Sequence, residues 1–188
     1  PIEQLASLRA IPNLHVFRPA DAIEVAECWA LALASPHSPS LLALTRQKLP
    51  LLRKDYQTNH SAKGAYVLQE TTGTREVTLL ATGSEVEIAC RAQQILESKG
   101  IPTAVVSMPC WELFDQQDKA YKETVLGANT FRVGLEAASP MGWEKYLGEN
   151  GVMIGMDRFG ASAPADILYE KFGFTPEHIV KIVEGEKR

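Results

Sequence analysis

Few residues in this sequence are placed to do chemistry, and the foremost is an arginine. In "SLLALTRQKLP", residues 40–50, Arg46 follows a run of apolar residues that reads as a strand. A guanidinium stays charged and is costly at the rim of a core unless something pairs with it. A neighbouring carboxylate would satisfy it as a structural ion pair. So would the oxygens of an anionic ligand, which match the planar donor fork. Residue type alone favours the ion pair, whereas the position at the end of a strand favours the ligand.

The other candidates are weaker. "LLATGSEVE" sets Gly83 and Ser84 between a strand and a helix, where a phosphate can rest on helix amides. It lacks both the three-glycine dinucleotide spacing and the Gly-Lys-Ser/Thr of a phosphate loop, so it reads as a tight turn. "DRFGASAPA", residues 157–165, joins an ion-pair candidate to small residues and a proline entering a helix, and reads as a packing or interface element. Glu136 ends a strand and has a base's chemistry, but with no partner visible it reads as a structural carboxylate. Cys28, Cys90 and Cys110 are odd in number and widely spaced, and the four histidines are scattered. Those patterns exclude a disulfide framework and a zinc site, and predict buried thiols.

The elements that must position these residues follow from periodicity. The 188 residues are 45% hydrophobic and 22% charged, which suits a globular protein with a real core. The net charge of −4 comes from interspersed acids and bases, so neither nucleic acid nor an anionic membrane is an expected partner. No apolar stretch is as long as a membrane span, and the first ten residues lack a signal-peptide pattern, so the expected location is cytoplasmic. With no initiating Met and no cap ahead of the first helical pattern, the chain reads as part of something longer.

A short strand "LHVF" leads through Arg18-Pro19 into a helix capped by Asp21, with Glu24 three residues on. Ala22, Val25, Ala26, Trp29 and Leu33 fall at helical spacing and are the expected core face of that helix. The strand "SLLALT" then completes a βαβ unit, which puts Arg46 at the carboxyl edge where ligands sit in open parallel sheets. Gln47 alternates to the opposite face. After a polar linker, strands and helices alternate for more than a hundred residues. One of those helices begins near Ser84, its expected cap, and turns Val86, Ile88, Ala89, Ala92, Ile95 and Leu96 to the core before stopping at Gly100. The fold class is α/β: a doubly wound, mostly parallel carboxy-terminal domain preceded by the βαβ remnant of a second α/β domain.

Taken in order, "PIEQLASLRAIPNLHVFRPADAIEV", "ALTRQKLP", "GAYVLQ", "LLATGSEVEIA", "VVSMPCWELFDQQDKAYKETVL" and "DRFGASAPADILYEKFGFT" closely resemble the last part of transketolases. The resemblance spans essentially the whole chain, with "RPADAIEV", "LTRQ" and "ATGSEVE" as its specific motifs. It implies that residues 1–52 end the pyrimidine-binding domain, 53–64 form a linker and 65–188 form the transketolase carboxy-terminal domain.

The same resemblance implies a homodimeric parent enzyme of the pentose phosphate pathway. That enzyme transfers a two-carbon ketol unit between sugar phosphates with thiamine diphosphate and magnesium. Arg46 matches the arginine that grips the sugar phosphate. The family's diphosphate-binding domain, the glutamate that activates the pyrimidine ring and a "DGPTH" segment do not occur in this sequence. No catalytic, cofactor or metal residue is therefore expected in it, and on its own it is expected to be inactive. Two alternatives stand beside this reading. One is the beta subunit of a 2-oxoacid dehydrogenase decarboxylase, against which the "LTRQ" arginine argues because a 2-oxoacid carries no phosphate. The other is a non-catalytic folding or dimerisation module.

Overall fold

The computed structural model describes residues 2–186. Two α/β units stand side by side. In the first, helix α1 (Gln4–Arg9) precedes strand β1 (His15–Phe17), helix α2 (Ala22–Leu33) and strand β2 (Ser40–Leu42). β1 and β2 pair in parallel, with His15 opposite Ser40 and Phe17 opposite Leu42. The linker is not featureless, since residues His60–Lys63 wind into a 3-10 turn.

The second unit is a five-stranded sheet. Its strands are β3 (Tyr66–Gln69), β4 (Val77–Ala81), β5 (Thr103–Ser107), β6 (Phe131–Leu135) and β7 (Val152–Ile154), in the spatial order β3-β5-β4-β6-β7. Only β3 runs antiparallel, on an edge. Every residue of β4 and β5 is buried, as expected of strands covered on both faces. On one face, Leu79, Val105 and Val133 pack with helices α3 (Glu85–Ser98) and α8 (Pro176–Glu186) through Val86, Leu96, Ile179 and Val183. On the other, Leu80 and Val106 pack with Phe114 of α4 (Trp111–Asp115) and Val125 of α5 (Lys119–Leu126). Tyr146 of α6 (Glu144–Leu147) and Trp143 just before it complete that cluster. α7 (Ala165–Phe172) lies near α8, with Tyr169 and Phe172 against the first cluster. Burying each such side chain is worth about 1.5–3 kcal/mol.

Several sequence expectations are corrected. The apolar run before Arg46 forms a strand only as far as Leu42, because β2 has one partner and pairing ends with Ala43 N–H donating to Phe17 O at 2.8 Å. α2 turns the opposite way from its hydrophobic pattern: Trp29 is 50% exposed and Leu33 79%, whereas Glu24, Glu27 and Cys28 are buried. The polar partners described below outweigh the apolar periodicity there. Ser84 holds the N-cap position of α3 but gives its hydroxyl hydrogen to Glu85 instead of accepting an amide. Pro164 is the N-cap of α7, one position outside the helix. The helix α4, too short for periodicity to show, was not expected.

Candidate functional site

The site begins at the carboxyl end of β2. Residues 43–52 leave the sheet as a loop that is exposed from Leu44 to Lys48. Within it the Thr45 hydroxyl accepts the Gln47 N–H at 3.1 Å, a side-chain turn that bends the chain at Arg46. At the far end, Leu52 N–H donates to Asp21 Oδ2 at 3.0 Å. Gln47 lines a cavity of about 220 Å³ between the loop and the start of α2. Arg46 does not line it; its side chain is exposed and makes no ion pair or hydrogen bond among the described residues. The neighbouring-carboxylate reading of Arg46 thus finds no carboxylate.

Asp21 is buried and has both oxygens engaged. Oδ1 accepts Glu24 N–H at 2.9 Å, capping α2 as its sequence position predicts, while Oδ2 closes the loop. Glu24 accepts from Ala20 N–H at 2.6 Å and from Tyr66 Oη and Ser107 Oγ at 2.7 and 2.6 Å, both in the second unit. Burial pushes its carboxyl above the usual glutamate range. Glu27 accepts from Ser61 N–H and Oγ at 3.1 and 2.7 Å and pairs with Arg53.

A second group of charges lies where β4 and β6 end. In the order β3-β5-β4-β6-β7 the connections that follow β4 and β6 run in opposite directions, which makes the crevice between their carboxyl ends the switch point where open α/β sheets take ligands. Here it takes two arginines of the first unit. Arg9 meets Glu136 with a two-pronged contact, Nη1 to Oε2 at 2.7 Å and Nη2 to Oε1 at 2.8 Å, and lies 3.6 Å above the Trp111 ring. Arg18 donates to Glu85, to the Thr82 hydroxyl at 2.6 Å and to Thr82 O at 3.0 Å. Glu136 also accepts from Thr82 Oγ1 at 2.6 Å and Trp143 Nε1 at 3.0 Å.

Burial works against the charge of Glu136, but the hydrogen bonds and charge of Arg9, with Arg18 and Thr82, hold its carboxyl below the usual range. With every oxygen engaged, Glu136 is a docking carboxylate and no base. Gly83 of "ATGSEVE" belongs to the same clasp. It has φ +55°, and a Cβ there would meet Arg18 Cγ at 2.9 Å. That glycine seats an arginine, not a phosphate.

The remaining candidates are brought into no site. Cys28, Cys90 and Cys110 are buried, and burial raises all three thiols, Cys90 to about 12. Residues 157–164 are exposed throughout, and Phe159 is 82% exposed. Among the described residues no cluster of three or more His, Cys, Asp or Glu is placed to hold a metal, and no helix is long and apolar enough to cross a membrane. The clasp was missed by sequence reasoning, since its partners lie 127 and 67 residues apart. The signal that pointed nearest to it was Glu136, read as a structural carboxylate whose partner the sequence did not show.

A small βαβ unit with a free arginine at its carboxyl edge, docked by buried ion pairs into the switch point of a larger open sheet, defines a two-unit α/β assembly. The first unit presents an exposed guanidinium at its edge, and the second unit holds the first. Comparison with known proteins is specific on this point. Residues 64–175 match the family model of the transketolase-like TK C-terminal domain, and residues 1–51 that of the transketolase pyrimidine-binding domain. The chain belongs to the transketolase family.

A transketolase of Sinorhizobium medicae is 56% identical over 182 residues, covering 96% of this chain and 26% of the relative. Among solved structures, the transketolase of Campylobacter jejuni superposes with a TM-score of 0.89 at 39% identity, covering 98% of this chain and 28% of that one. A Pichia stipitis transketolase in complex with sedoheptulose-7-phosphate does so with a TM-score of 0.87 at 40% identity, covering 96% and 26%. The chain spans about a quarter of the length of these relatives. Neither the 2-oxoacid dehydrogenase subunit nor the non-catalytic module is favoured by these matches.

Proposed function

We propose that this chain is the carboxy-terminal part of a transketolase that moves a two-carbon ketol unit between sugar phosphates, and that Arg46 grips the phosphate of the substrate. The observation that carries the reading is Arg46 itself, an exposed guanidinium in the loop beyond the carboxyl end of β2 with no carboxylate partner among the described residues. The Pichia stipitis relative held with a sugar phosphate supports the substrate class. The boundaries 1–52, 53–64 and 65–188, a homodimeric parent, a place in the pentose phosphate pathway and a cytoplasmic location belong to the same proposal.

In this reading no residue of this chain is assigned to thiamine diphosphate or to magnesium. No metal-holding cluster occurs among the described residues. The carboxylates near the edge, Asp21, Glu24, Glu85 and Glu136, are spent on protein partners. In this reading the cofactor is held by other parts of the parent and supplies the carbanion chemistry. This chain contributes a grip on the substrate.

Arg46→Ala in the full-length enzyme tests the grip. One charge-assisted contact is worth about 1.5–3 kcal/mol, or about ten- to a hundredfold in affinity. The expected result is a rise of that size in KM for phosphorylated donors and acceptors, with cofactor affinity unchanged. Hydroxypyruvate has no phosphate and should lose nothing. Equal harm to both donor types would make Arg46 structural.

A further inference from the structure

We propose that Asp21 is a positioning residue for Arg46: its second carboxylate oxygen closes the loop that carries the guanidinium and so fixes where the phosphate grip stands. This inference rests on the phosphate-binding reading of Arg46. Apart from the Leu52 side chain, which packs against the core at the return, the loop is held by few contacts. Residues 44–48 are exposed, and cavities of about 280 and 220 Å³ flank the loop, one beside Arg18 and Gly83, the other beside Asp21 and Val25. Among the described residues, three hydrogen bonds tie the segment 43–52 down. Ala43 N–H to Phe17 O continues β2, the Thr45–Gln47 turn shapes the tip, and Leu52 N–H to Asp21 Oδ2 fixes the return. The first two are local to the strand end and the tip. The third joins the loop to a buried side chain that caps a 12-residue helix.

Asp21 is itself tied in on both sides. Three residues before it, Arg18 is locked into the switch-point crevice by Glu85 and Thr82, and Ala20 N–H is held by Glu24. The carboxylate thus passes the fixed position of the docked unit to a loop whose tip is exposed, at the point where the Leu52 side chain also meets the core. One residue beyond the loop, Arg53 pairs with Glu27, which sets the later course of the chain whatever happens at Asp21. The bond from Asp21 therefore acts on the loop and not on the linker.

The two oxygens can be separated. Ser and Asn are good N-caps, so Asp21→Ser and Asp21→Asn keep an acceptor for Glu24 N–H. Serine has no second oxygen, and asparagine offers Leu52 a donor against a donor. Two measurements follow. In the 188-residue chain, hydrogen exchange over residues 44–52 should accelerate in both variants, while that of α2 stays as it was. In the full-length enzyme, the KM for phosphorylated donors should rise about three- to tenfold, since small misplacements of a gripping group are costly. The kcat should stay within about twofold, hydroxypyruvate kinetics should not change, and the substitutions should add nothing in an Arg46→Ala background.

Unchanged exchange over 44–52 would show that Asp21 does not close the loop. If Arg46→Ala is phosphate-selective but the Asp21 variants are not, the positioning role falls and the grip stands. If Arg46→Ala shows no phosphate selectivity, the grip falls first and the positioning role with it. Two variants of different shape guard against a single misfolded one.

Discussion

The two units bury opposite things. In the second, α3 does what its sequence pattern says: Val86, Ile88, Ala89, Ala92 and Leu96 are inside, against a sheet whose central strands are wholly apolar or hydrogen-bonded. In the first, α2 keeps Trp29 and Leu33 outside and takes Glu24 and Glu27 inside, where Tyr66, Ser107, Ser61 and Arg53 receive them. Two strands of three residues cannot bury enough surface to stand alone. The first unit therefore depends on the second, and the contacts that seat it there are chiefly buried charges. Buried ion pairs give a unit orientation at little net gain, because desolvation consumes most of the attraction. Removing one partner, however, strands the other in the core.

The largest effect is expected at the clasp. Arg9→Ala leaves Glu136 buried without its two-pronged partner and should cost about 3–5 kcal/mol. In denaturant titration the first unit should release before the sheet does. A single unshifted transition would break the picture of a dependent unit. Leu79→Ala, in the centre of β4, should cost about 2–5 kcal/mol, and it should take both units down together because the support has gone.

Acid should reach the same clasp. Glu136 has its carboxyl held below the ordinary value, so its contribution is complete above about pH 4.3 and is lost as the pH falls through the lowered folded-state value. Glu24 is raised, which has the opposite sign: its contribution is complete below about pH 4.3 and is lost as the pH rises through the folded value. Stability measured against pH should therefore fall steeply in acid, and Glu136→Gln should flatten that limb while leaving the Glu24 contribution in place. The smallest effects belong to the exposed face of α2. Leu33→Ala should change thermal stability by no more than about 0.5 kcal/mol, although hydrophobic periodicity marks it as core.

The sequence showed most where residues depend on near neighbours. Asp21 and Glu24 announced a helix start, Gly100 a helix end, and the period of α3 its buried face, because capping and amphipathicity are decided within a few residues. Arg46 at a strand-carboxyl edge was legible for the same reason, although the strand proved shorter than its apolar run. The orientation of α2 was not legible, since Tyr66 and Ser107, which donate to Glu24, and Ser61, which donates to Glu27, lie more than 30 residues away. Nor were the clasp and the second role of Asp21. A carboxylate's helix-capping use is written in the next three residues, whereas its bond to Leu52 depends on how a loop returns.

Hydrogen exchange resolved by residue on the 188-residue chain measures the dependence of the first unit on the second directly. Amides of β1 and β2 should exchange far faster than those of β4 and β5. In Arg9→Ala the gap should widen through loss of protection in the first unit, with the sheet unchanged. Equal protection of both units in a monomer, unaffected by Arg9→Ala, would contradict it.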